Sequence, residues 1–76
     1  MTNVKITKRI EINTEQHIVS TYGVYESLEV ATDVISKLWI KMSNKNYPIL
    51  EIWGGVISLR YYDDNDHFTR LTIENI

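Results

Sequence analysis

Residues 51–76, EIWGGVISLRYYDDNDHFTRLTIENI, decide the fold, because they read as three strands joined by two tight turns. Gly54-Gly55 has the form of a two-residue hairpin loop, where positive φ is needed and glycine supplies it without steric cost. That loop sets Ile52 opposite Ile57 and Leu50 opposite Leu59. A three-residue second loop, Asp64-Asn65-Asp66, sets Ile57 opposite Ile73, Leu59 opposite Leu71 and Tyr61 opposite Thr69. One face of the meander is then Leu50, Ile52, Ile57, Leu59, Tyr61, Leu71 and Ile73. A register slip of two residues keeps that parity and a slip of one destroys it, so the faces are better determined than the register.

An apolar sheet face requires a cover, and the segment just before it supplies one. From Ser27, a good N-cap, the residues Leu28, Ala31, Val34, Ile35, Leu38, Trp39 and Met42 fall on one stripe at helical spacing. Glu29, Asp33, Ser36, Lys37 and Ser43 take the other side, with Ile40 a lone apolar residue among them. Glu26 and Glu29 near the start and Lys41 and Lys45 near the end suit the helix dipole. The spacing predicts a helix over 26–44, stopped by NKNYP (44–48), where Pro48 restricts Tyr47 to an extended conformation.

Upstream, VKITKRIEI (4–12) alternates Val4, Ile6, Ile10 and Ile12 against Lys5, Thr7, Arg9 and Glu11, the period of a half-buried strand. Lys8 interrupts the apolar side and reads as a strand-end or edge residue whose stem reaches water. After a turn at NTEQ (13–16), HIVSTYG (17–23) reads as a second strand ended by Gly23. The fold class is therefore α+β: a two-layer ββαβββ domain over residues 1–76, an antiparallel sheet of about five strands carrying one amphipathic helix. Extension of the sheet by the first hairpin and coverage of its second face by that hairpin are both open on sequence.

That second face carries Ile49, Glu51, Trp53, Val56, Ser58, Arg60, Tyr62, Phe68, Arg70, Thr72 and Glu74, which is apolar for a free surface. Arg60 stands beside Arg70, where like charges oppose each other, with Glu51 and Glu74 as neighbours able to pair with them. Trp53, Arg60, Tyr62, Phe68 and Arg70 have the aromatic and arginine composition enriched at binding hot spots. They form the candidate partner-binding set. The alternative is a face closed by the first strand pair or by local ion pairs.

Composition narrows the function classes. A chain of 76 residues holds one core and buries only roughly 60–65% of its unfolded surface. Cysteine is absent, which excludes disulfides and thiolate metal sites and leaves association as the available staple. Net charge −2 and pI near 5.5 argue against a general polyanion binder. No long apolar run and no apolar leader are present, so the expectation is a cytoplasmic protein with no membrane role. The abundance of Ile, Lys, Asn, Glu and Tyr, residues of AT-rich codons, fits a low-GC bacterium or one of its phages.

Catalytic chemistry is thinly represented. His17 and His67 lie in different elements without a nucleophile motif, and Glu11, Glu51 and Glu74 have no walled pocket to shift them. The loop DDNDH (63–67) offers oxygen and imidazole ligands, and Asp63, Asn65 and Glu74 fall at EF-hand offsets one, three and twelve. Phe68, however, occupies the position that needs glycine, and Glu74 belongs to a strand, so the loop reads as an ordinary turn. The expectation is a non-enzymatic protein-interaction module of inhibitor, immunity or adaptor type, without cofactor or metal, binding itself as a homodimer or a host or cognate protein. A single-stranded nucleic-acid binder using Arg60, Arg70, Tyr62 and Phe68 with Lys5 and Arg9 is the alternative, and a component of a larger assembly a third.

Overall fold

The computed structural model describes residues 3–42 and 44–76. The elements run β1 (Val4–Glu11), β2 (His17–Tyr25), α1 (Leu28–Lys41), a 3-10 turn (Asn44–Asn46), β3 (Ile49–Trp53), β4 (Val56–Tyr62) and β5 (Phe68–Asn75). The strands form one antiparallel sheet in the order β2-β1-β5-β4-β3, with the helix on one face. The ββαβββ reading holds, and the open question about the first hairpin is answered. It extends the sheet through β1 beside β5 and does not fold over the second face.

Both turns of the meander have the expected chemistry. Gly54 and Gly55 take φ of 58° and 82°, and the pairs Ile52–Ile57 and Leu50–Leu59 form as read. In the second turn Asp66 has φ 66°, and the Asp63 carboxylate accepts the backbone N–H groups of Asn65 and His67, each at 2.9 Å. The acidic loop is thus closed by its own first aspartate. Leu59–Leu71 and Tyr61–Thr69 pair as expected.

The core comprises Val4, Ile6, Ala31, Ile35, Leu59, Leu71 and Ile73, all buried, with Val34, Leu38, Met42, Leu50, Ile57 and Tyr61 packed around it. Ser27 caps the helix, its hydroxyl accepting the Val30 N–H at 3.2 Å, and Met42 N–H closes the other end on the Leu38 carbonyl. No helix among the described residues is long and apolar enough to cross a membrane.

Several local readings need correction. The helix is shorter than 26–44 at both ends, and Ser43, assigned to its polar side, lies outside the described residues. Leu28 and Trp39 belong to the apolar stripe by spacing yet are exposed, and of the stripe only Ala31 and Ile35 are fully buried. Lys8 is not on an edge: β1 is internal, and Lys8 stands between Leu71 and Ser20, partly buried. β1 ends at Glu11 rather than Ile12, whose N–H instead donates to the Gln16 carbonyl in the turn. β2 does not stop at Gly23 but runs on to Tyr25, because a bulge around Tyr22 restores the pairing of Gly23 with Ile6 and Tyr25 with Val4. The missing side chain at Gly23 makes room for the Tyr25 phenol, which lies where a Cβ would stand.

Tyr47 is left-handed, with φ 50°, rather than extended. Its N–H donates to the Asn44 carbonyl at 3.1 Å, closing the 3-10 turn two residues before β3 begins at Ile49. The restriction before proline favours an extended residue, so the positive φ of Tyr47 departs from the preference of its own sequence.

Candidate partner-docking face

The sheet face opposite the helix is built from cross-strand rows, and its central row is basic. Val19, Arg9, Arg70, Arg60 and Ile49 stand in register across all five strands, which places three arginines side by side on β1, β5 and β4. One step along the strands lies the row Glu11, Phe68, Tyr62. On the other side lie Thr7, Thr72, Ser58 and Glu51, all small or short except the last.

The partners of the arginines differ. Arg60 is held by Glu51, its Nε in ion-pair contact with the carboxylate, though not aligned for a hydrogen bond. Arg9 donates from Nε to His17 Nδ1 at 3.2 Å, an imidazole acceptor that brings no negative charge to the guanidinium. Arg70 lies 5.9 Å from the centroid of the Phe68 ring, a cation–π contact. Among the described residues neither Arg9 nor Arg70 has a carboxylate within ion-pair distance. Glu74, an expected neighbour of the arginines, instead accepts the Thr7 hydroxyl at 3.2 Å.

Phe68 and Tyr62 meet edge to face at 5.8 Å, and Tyr47 adds a third ring at 6.3 Å from Tyr62. The strained Tyr47 turn therefore carries a ring from the helix side round to this face, anchored by Asn46 Nδ2 donating to the Tyr62 carbonyl at 2.6 Å. Sequence reading missed Tyr47, and the Tyr-Pro pair at the helix exit was its only signal.

Of the five residues singled out by sequence, Arg60, Tyr62, Phe68 and Arg70 form one cluster. Trp53 stands apart, four residues along β3 from the arginine row, and is 85% exposed. It rejoins Arg70 across a shallow hollow floored by Ser58 and Thr72 and flanked by Glu51 and Val56. The two hydroxyl residues are short, so the hollow is the space their size leaves between an indole and a guanidinium.

The face is mixed in charge: Lys5, Arg9, Arg60 and Arg70 against Glu11, Glu51 and Glu74. The phenols whose pKa is pushed above the ordinary 10.0, Tyr25 and Tyr61, are raised first by burial and lie on the helix side. Among the described residues no cluster of three or more His, Cys, Asp or Glu is placed to hold a metal ion. Comparison with protein-family models, with curated proteins and with solved structures finds no match to this chain.

Proposed function

We propose that the chain is a non-catalytic docking module that binds a partner protein through this open sheet face, seating an acidic side chain of the partner beside Arg9 and Arg70. The observation that carries the reading is the uncompensated pair of arginines in the middle of an uncovered sheet. Like charges opposite each other cost stability in the free chain, and a carboxylate from outside removes that cost. The aromatic cluster and Trp53 then supply apolar contact on either side of the charged centre, the composition expected of an interface core.

Mixed charge supports a protein over a nucleic acid. Three carboxylates share the face with its cations, and a uniform polyanion meets them all, whereas a protein surface can place opposite charges and apolar groups selectively. One observation favours the second reading: edge-to-face rings beside an arginine on an open sheet also suit stacked bases.

Binding of a labelled Glu-, Asp- and Trp-containing peptide and of a labelled oligothymidylate, both at low salt, separates the two. The expected result is saturable peptide binding that Arg70→Glu abolishes and Lys37→Glu, on the helix, leaves unchanged. Tighter binding of the oligothymidylate moves the function to single strands, and binding of neither probe removes the docking reading.

A further inference from the structure

The strand order leaves β3 as a free edge, and its geometry selects what can pair with it. A two-residue loop makes Trp53 and Val56 the closing hydrogen-bonded pair, so Trp53, Glu51 and Ile49 direct their backbone groups toward β4. By alternation Leu50 and Ile52 direct their N–H and C=O groups outward. Natural edges are commonly blunted by lysine, bulges or inward charges. β2, the other edge, has its bulge at Tyr22, whereas β3 has neither bulge nor lysine and is apolar at every position except Glu51. Ile52 is 72% exposed, although its parity places it on the core face.

We infer that β3 pairs antiparallel with β3 of a second copy of this chain, about a two-fold axis passing between the two Glu51 residues. This register alone matches both outward-facing residues, Leu50 of one copy with Ile52 of the other and the reverse, giving about four backbone hydrogen bonds. The same register sets Ile49 opposite Trp53 on the docking face. The only like-charge meeting is Glu51 with its counterpart, and each carboxylate already sits against Arg60 of its own chain. The two carboxylates at the axis are thus each flanked by an arginine of their own chain, and the four charges are neutral in sum. Such pairing doubles the sheet and keeps both arginine rows open on one side, so it is independent of the docking reading.

The chain has no cysteine, which allows a direct trap. In the pairing above the Glu51 positions form a non-hydrogen-bonded pair with Cα atoms about 4.5 Å apart, within disulfide reach. Light scattering of the wild type is expected to show a dimer that Ile52→Lys converts to a monomer with an unchanged circular dichroism spectrum. Glu51→Cys is expected to cross-link under mild oxidation, whereas Asp64→Cys in the exposed loop is expected to dimerise without forming the disulfide. A wild type that is monomeric at sub-millimolar concentration overturns the inference. So does a dimer indifferent to Ile52→Lys, or cross-linking no faster at position 51 than at 64.

Discussion

Arg9 on β1 and Arg70 on β5 stand directly opposite each other on an uncovered face, with Arg60 in the next strand completing the row. Cross-strand like charges cost stability, so the free chain holds this arrangement against its own interest. Arg9→Thr is expected to stabilise the chain by about 0.5 kcal/mol at low salt, since it removes the repulsion and adds a β-branched residue to an internal strand. Screening shrinks the gain as salt rises. Urea denaturation at two ionic strengths measures it, and a loss of stability in the variant contradicts the repulsion.

The helix is held by a narrow contact. Ile35 is fully buried, and Ile35→Ala is expected to cost about 2–5 kcal/mol, a large share of the stability of so small a domain. Ile40→Ala, on the exposed side, is expected to change stability by no more than about 0.5 kcal/mol. Denaturant midpoints of the two variants provide the comparison.

Asp63 separates a turn role from a ligand role in the acidic loop. Its carboxylate accepts two backbone N–H groups, so Asp63→Ala is expected to cost about 1–2 kcal/mol, and Asp64→Ala about 0.5 kcal/mol or less. Equal effects at the two positions contradict the hydrogen-bonding account.

Burial raises the Tyr61 phenol above its ordinary value of 10.0, with Tyr22 and Asp63 adding to the shift. The neutral phenol is thus favoured by folding. Its contribution is complete below pH 10.0 and is lost as pH rises through the higher folded value. Tyr61→Phe is expected to flatten the alkaline fall in the urea midpoint, leaving a smaller fall from Tyr25, which is raised for the same first reason. An unchanged alkaline limb contradicts this assignment.

The meander was legible because its determinants are local: Gly54-Gly55 and the aspartate loop fix two registers, and alternation fixes both faces. The helix was legible from Ser27 and the apolar stripe, but the exposure of Leu28 and Trp39 was not, since spacing marks a stripe and does not say which of its residues the sheet reaches. The basic row was half legible. Arg60 beside Arg70 followed from the second hairpin, whereas Arg9 joins them through the pairing of β1 with β5, which spans most of the chain and leaves no local mark. The bulge at Tyr22 and the left-handed Tyr47 were hidden for another reason: tyrosine is an ordinary strand former at the one position and a bulky residue in which positive φ is uncommon at the other.

The central claim is that Arg9 and Arg70 receive an acidic group from a partner protein. The most direct measurement follows the arginine Nε–H resonances while an acidic, aromatic-containing peptide is added to the labelled chain at low salt. The expected result is saturable shifts at Arg9 and Arg70, with Phe68 and Trp53 responding and Arg60, already held by Glu51, moving least. Shifts confined to other residues, or none where an oligothymidylate perturbs the same face, would contradict the claim.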